Sequence, residues 1–286
     1  MTDFIIPLDV IRHERELEYR KVVDATVVAR EALISYNRHV VEPMRIPDLT
    51  AMLQVSPRQF PQIDSDVREL SVLIGVPAPR AYIYEGPQAE FGVNAEGIDQ
   101  PWLEISAFSI TQLTRDQLRF RIARELAHIR NDYIVYEVLL RGLLQATGYV
   151  NRIPGIGTVM NLVGPERLEQ ALRLVLYRYT RCAQHTSDRM AYCAVGGLRT
   201  AAHTIMTGCL RSAELANKVS ISEWYGQAKT LDSFTGFIAA RTKLDELMPY
   251  PQYRVRDLVG FAARPDIMDI RKRVAASNAN LTEMNQ

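Results

Sequence analysis

The stretch Arg124-Glu125-Leu126-Ala127-His128 lies in the middle of a segment whose pattern predicts a helix from about 115 to at least 131. Thr114, with Asp116 and Gln117 just behind it, resembles a helix N-terminal cap. The apolar run onward to about 146 allows the helix to continue, with or without a break. Glu125 and His128 lie one turn apart on one face, and Arg124 shares the face of His128. Glu and His at this spacing are ordinary helix-surface residues when they stand alone, so the weight of the pair depends on its neighbours in sequence.

Those neighbours form a small β-rich region. Ala81-Tyr82-Ile83-Tyr84, Phe91 to Asn94 and Trp102-Leu103-Glu104-Ile105 read as strands, separated by turn residues at Gly86-Pro87, Gly97 and Asp99 to Pro101. Helical patterns flank the region. Residues 10–40 read as one long helix, with Val22, Ala25, Ala29, Leu33 and Tyr36 stepping by three or four. Ser56-Pro57 reads as a helix start with Pro57 at its first position, leading into Gln59 to Ile74, which Gly75 and Pro77 stop. Gly148 to Gly164 holds four glycines and Pro154 and reads as a loop. A second long helix covers 165–196, shorter ones fill 200–247, and Met248-Pro249-Tyr250-Pro251 is an extended break. Arg254 to Ala262 and Pro265 to Ala275 are the last helices expected, with a polar, frayed tail from Ser277. The expected class is α+β, mainly helical, with a sheet of three or four strands. The expected organisation is a helical extension over 1–50, one main domain over 51–276 and a tail over 277–286.

Bulk properties exclude several classes. Of 286 residues, 47% are hydrophobic and 23% charged, as in ordinary globular chains. The formal net charge is +1, so no global field points to nucleic acid or an anionic membrane. The most apolar stretch, Ile134 to Thr147, is interrupted by Glu137 and Arg141 and is too short to span a bilayer. Met1 to Asp9 lacks the basic start and cleavage site of a signal peptide. Cys182, Cys193 and Cys209 are odd in number and far apart, which argues against a disulfide framework and for a reduced, cytoplasmic setting.

Taken in order, these segments resemble the HtpX-like and CAAX-prenyl-protease-like zinc metallopeptidases, particularly those without membrane spans, over residues 50 to 265. The resemblance is carried by Ser56-Pro57-Arg58-Gln59-Phe60-Pro61, Gly75-Val76-Pro77 with Ala81 to Tyr84, Asn94-Ala95, Pro101 to Ser106 and Leu113 to Leu118. Gln184-His185-Thr186-Ser187-Asp188-Arg189 and Met248-Pro249 with Arg254 complete it. It implies a zincin-like fold in which a helix carries HExxH: two imidazoles four residues apart reach one zinc ion, and the glutamate between them activates the metal-bound water. By that resemblance Glu125 stands at the general-base position, and Arg124, His128 and Gln184 stand at the ligand positions. Asp188, Arg254 and Met248 stand in the surrounding layer, and Asn94 and Ala95 on the peptide-binding edge strand.

The departures are as ordered as the matches. Arg124 replaces a histidine ligand, Gln184 a glutamate ligand and Met248 a late active-site histidine. A guanidinium has no acceptor atom and repels a cation, and a neutral amide is a poor zinc ligand beside a carboxylate. Loss of even an outer-layer partner typically costs about 10–100-fold in metal affinity. The expected function is therefore a pseudopeptidase without zinc that binds an extended peptide or protein, with no nucleic acid and no membrane span. Arg124 is expected to stand where the metal charge stood and to pair with Glu125, Asp188 or both; as a plain solvated helix residue it would do neither.

Rival readings are an active zinc endopeptidase with substituted ligands, and new acid–base chemistry by Glu125 and His128. His185 would offer a rescuing ligand, but one residue of helix turns it about 100° away from Gln184. His13, His39 and His203 have no partners at ligand spacing, and Tyr177, Tyr179 and Tyr192 read as packing residues. Ser106 and Ser109 lack a paired histidine motif, and the Gly148 to Gly164 run has no nucleotide-binding order.

Overall fold

A computed structural model describes residues 4–26, 34–35, 38–39, 42–85, 91–145, 165–233 and 249–284. The expected Gly148 to Gly164 loop, the Gly86-Pro87 turn and Met248 lie outside the described residues. What is described is mainly helical with one small sheet, an α+β arrangement.

The sheet has four strands: β1 (Leu53–Gln54), β2 (Arg80–Tyr84), β3 (Val93–Glu96) and β4 (Trp102–Ser106), in the order β1-β2-β4-β3. β1 pairs antiparallel with β2, β2 parallel with β4, and β3 antiparallel with β4. β4 is buried along its whole length, as a central strand covered on both faces must be. β3 alternates instead: Val93 and Ala95 are buried while Asn94 is exposed. It joins β4 through a turn at Gly97, whose φ of 79° and close approach to the Trp102 ring leave no room for a Cβ. β3 is thus an edge strand, and among the described residues no other strand pairs with its outer side.

Helix α4 (Pro61–Ile74) is one turn shorter at its start than its sequence suggests. Ser56 and Gln59 exchange backbone hydrogen bonds of 2.8 and 2.9 Å around Pro57, so Pro57 sits in a tight turn and Pro61 takes the first helical position. The short helix α5 (Ala107–Gln112) follows β4 and leads into α6 (Arg115–Arg130). α6 opens with the expected capping box: the Thr114 side chain accepts from the Gln117 N–H, and Gln117 Oε1 accepts from the Thr114 N–H at 2.9 Å. Asp132, with φ 57°, breaks the helical run, and α7 (Tyr133–Gln145) sets off in a new direction.

α6 is the centre of the molecule. It packs against α4, against the 31-residue helix α8 (Pro165–Val195), and against β3. Its apolar residues Leu118, Phe120, Ile122, Ala123, Leu126 and Ala127 join the core formed with β4 and α8. Yet Arg119, Arg124, Glu125 and His128 are buried beside them. Arg119 is accounted for by Asp66 and Glu69 of α4, the latter at 3.0 Å. α8 ends at Gly196 and Gly197, both with positive φ, as the sequence suggests.

The long N-terminal helix expected over 10–40 is interrupted. α1 (Leu8–Ile11) and α2 (Glu16–Thr26) flank an irregular link, and residues 27–33 lie outside the description. The physical cause is tertiary. The His13 N–H donates to Thr186 Oγ1 at 2.9 Å, and the hydroxyl in turn donates to the buried Glu16 carboxylate at the start of α2. Arg189 of α8 reaches the Arg12 carbonyl at 3.3 Å and Glu14 at 3.1 Å. Ile6 and Ile11 are fully buried in the common core.

Helix α3 (Glu42–Ala51) precedes β1, and α9 (Leu198–Leu210), α10 (Ala213–Ala216) and α11 (Ile221–Ser233) follow α8. α12 (Pro251–Ala262) starts at Pro251, three residues before the expected Arg254, because proline suits a first helical position. α13 runs from Pro265 to Met284, so the tail from Ser277 is helical rather than frayed.

Candidate functional site

The polar face of α6 meets two residues of α8 and one of α12. Gln184 and Asp188 are four apart on α8, so both point toward α6. Arg124, Glu125, His128, Gln184, Asp188 and Arg254 are all at least nine-tenths buried.

Asp188 is the hub. Arg254 grips it in a fork, Nε to Oδ2 at 2.7 Å and Nη2 to Oδ1 at 2.8 Å. The Nε of Arg124 lies 2.7 Å from Oδ1, an ion pair whose N–H is not aimed along the contact. The Nη2 of Arg124 donates instead to Gln184 Oε1. Burial would raise the Asp188 carboxyl, but Arg254 and Arg124 outweigh it and hold it below the usual range. Burial also lowers Arg124, and Asp188 offsets this only in part; Arg254, equally buried, is raised by its aligned pair with Asp188. Guanidinium groups ionise so far above neutrality that both stay charged, and the triad is a carboxylate between two cations.

Glu125 does not join that triad. Its Oε2 accepts from the backbone N–H of Ala95 at 3.2 Å, tying the α6 face to the outer side of β3. Asn94, next in line on β3, turns an exposed side chain away. His128 lies 3.0 Å from Glu137 of α7 through Nδ1, again without a well-aimed N–H, and stacks edge-on with Tyr133 at 5.4 Å. Burial opposes its charge, but Glu125 and Glu137 prevail and raise its pKa.

Arg124, Glu125, His128, Gln184, Asp188 and Arg254 are therefore brought together, with Ala95 joined through Glu125; the Asn94 side chain turns away, and Met248 lies outside the described residues. Arg124 faces Asp188 and Gln184, not Glu125 and not solvent. His185 turns off the site: it stacks on His13 at 5.4 Å and sits 3.6 Å from Asp257. Tyr179 packs against Tyr133 and Tyr136.

Three residues escaped the sequence reading. Glu137 and Tyr133, on α7, flank His128, and no local spacing links them because the turn at Asp132 sets their direction. Arg121 was legible in principle: residues 121, 125 and 128 share one helix face. Burial, together with Arg124 and Arg254, pushes the Arg121 guanidinium down to about 9.

The donor set does not suit a zinc ion. Arg124 offers no lone pair, its charge lies beside Asp188, and the Gln184 oxygen accepts from it. Among the described residues no three His, Cys, Asp or Glu side chains converge so as to hold a metal ion.

Comparison with known proteins agrees with part of this picture. The chain is 20% identical over 235 residues to the plastoglobule-localized metallopeptidase 48, chloroplastic, of Arabidopsis thaliana. The match covers 80% of this chain. The chain is distantly similar to a metallopeptidase. It spans 65% of that relative's length. No family model matches the chain, and no solved structure matches it. No helix among the described residues is long and apolar enough to cross a membrane.

Proposed function

We propose that this chain is an HtpX-like, zincin-type metallopeptidase homologue that has given up zinc and proteolysis and acts as a peptide- or protein-binding module. The observation that carries the reading is the buried Asp188 carboxylate held between Arg254 and Arg124. A fixed cation on the helix that would carry the metal ligands neutralises the carboxylate that metal loss would otherwise strand. The distant metallopeptidase relationship supports the scaffold. The outer side of β3, which no strand among the described residues covers, supports the binding role, because adding an extended strand needs backbone hydrogen bonds and pockets but no metal. Asn94 and Ala95 would line that edge, and the occupant would be an extended peptide rather than nucleic acid. Three unbridged cysteines suit a reduced compartment such as the cytoplasm.

The test is metal analysis of full-length protein purified without chelator and dialysed against micromolar zinc. Far less than one equivalent should be retained, and Arg124→His combined with Gln184→Glu should raise it. Near-stoichiometric zinc in the natural protein, lost on His128→Ala, would overturn the reading in favour of an active endopeptidase with substituted ligands. A peptidase-independent activity lost on Glu125→Gln would point to acid–base chemistry by Glu125 and His128.

A further inference from the structure

Arg121 differs from the other arginines on the inner faces of α6. Arg119 pairs with Asp66 and Glu69, and Arg124 with Asp188 and Gln184. The Nε of Arg121 is buried without a hydrogen-bond partner, and among the described residues no carboxylate pairs with its guanidinium. It lies over the Phe91 ring, 5.8 Å from the centroid, and against Gly208 of α9, where a Cβ would overlap it. Of the carboxylates near the three guanidiniums of Arg121, Arg124 and Arg254, Asp188 serves Arg254 and Arg124, Glu125 accepts from the Ala95 N–H and Glu137 lies by His128, so none is paired with Arg121. A site built for a metal cation needs carboxylates free to ligate it; here the carboxylates are already engaged, and the cation Arg121 is the group left over. Holding an uncompensated cation in a partly dry place costs stability, so an anion from outside is the natural complement.

Position says which anion. Phe91 lies two residues before β3, and Glu125 meets Ala95 farther along it. Arg121 therefore marks the Val93 end of the edge. Ser106 donates to the Gly92 carbonyl, so Gly92, Asn94 and Glu96 direct their backbone groups to β4. Val93 and Ala95 direct theirs outward, and the Ala95 N–H already serves Glu125. A strand added antiparallel to β3 ends at the Val93 side, where its carboxyl terminus would meet Arg121. A parallel strand would bring its ammonium group there and be repelled.

We propose that Arg121 anchors the free C-terminal carboxylate of an extended peptide running antiparallel to β3. The proposal rests on the peptide-binding reading and adds the direction and chemical end of the ligand.

The experiment uses the immobilised full-length chain and a mixed pool of random hexapeptides, made as free acids and as C-terminal amides, with retained species read by mass spectrometry. Free acids should be enriched at least about tenfold, as a charge-assisted contact worth about 1.4 kcal/mol gives. Arg121→Gln should abolish the preference and leave amide retention unchanged. Gly208→Ala, which fits a helix but takes the space of the guanidinium, should weaken it independently. The thermal midpoint of Arg121→Gln should not fall, since repulsion with Arg124 and Arg254 is relieved. Peptides retained with no preference for the free acid, or a preference that survives Arg121→Gln, overturn the anchor and leave the peptide cleft standing. Amides ending in Asp or Glu retained as well as free acids overturn the terminal assignment. No retention of either form sinks the anchor together with the peptide-binding reading.

Discussion

Replacing Asp188 by asparagine keeps the shape of the hub and removes its charge. Asp188 receives a two-pronged grip from Arg254 and a 2.7 Å ion contact from Arg124, with no exposure to solvent. Taking charge centres about 4 Å apart and an effective dielectric of about 20, each pair attracts by about 4 kcal/mol. Two pairs give about 8 kcal/mol, against which stand the several kcal/mol needed to dry the carboxylate. Asparagine would leave two guanidiniums facing each other across an amide that can accept through one oxygen only. The net loss should be about 3–5 kcal/mol, the range for breaking a buried ion pair from one side. That is a large share of a total stability of about 5–15 kcal/mol. Urea unfolding followed by circular dichroism at pH 7 measures it. The pH dependence supplies an internal check. The carboxyl of Asp188 is lowered in the folded protein, so its stabilisation is present above the unfolded value of about 3.9 and is lost as pH falls through the lower folded value. The gap between natural protein and Asp188→Asn should therefore be constant from pH 6 to 5 and close only in strong acid. A loss below about 1 kcal/mol would refute the two-cation hub. So would a gap that closes near neutrality.

Arg124→Met removes only the less well-aimed of the two cations, so it should cost about 1–2 kcal/mol, clearly less than Asp188→Asn, in the same unfolding assay. His128 gives a dependence of opposite sign: its raised pKa means that the stabilisation is complete below about pH 6.5 and is lost as pH rises through the folded value. His128→Gln should flatten that alkaline decline in urea midpoints between pH 6 and 9. Gly97→Ala should lose about 1–2 kcal/mol, because the residue holds φ 79° and a methyl would strike the Trp102 ring; an unchanged melting temperature would argue against this turn. Ile6→Ala should lose about 2–5 kcal/mol, showing calorimetrically that the N-terminal segment is part of the core rather than an appendage.

Local signals were read well where the cause is local. The capping residues Thr114 and Gln117, the strands at 80–84 and 102–106, and the stop at Gly196 and Gly197 each follow from the chemistry of a few neighbouring side chains. Errors came where a distant group decides. Pro57 and Pro61 both suit a helix start, and only the Ser56–Gln59 pairing selects Pro61. The periodicity over 10–40 is helical, but Thr186 and Arg189, from the far side of α8, pull the backbone open at residues 12–15. β1 has two residues, too few to carry a pattern, and exists because β2 offers it an edge.

The candidate site divides in the same way. From sequence alone came the residue types on α6 and α8, the four-residue spacing of Gln184 and Asp188, and the poor fit of a guanidinium and a neutral amide to a zinc ion. Those are properties of helix geometry and side-chain chemistry, both fixed within a turn or two of chain. Tertiary structure decided the partners: that Arg124 turns to Asp188 and Gln184 while Glu125 turns to Ala95, that Glu137 comes to His128, and that Arg121 has no carboxylate partner among the described residues. A charged side chain can satisfy itself with any of several neighbours at similar cost, so its choice depends on which groups packing leaves within about 3 Å. No run of sequence encodes that distance; it follows from how α6, α8, α12 and the β3 edge close around one another.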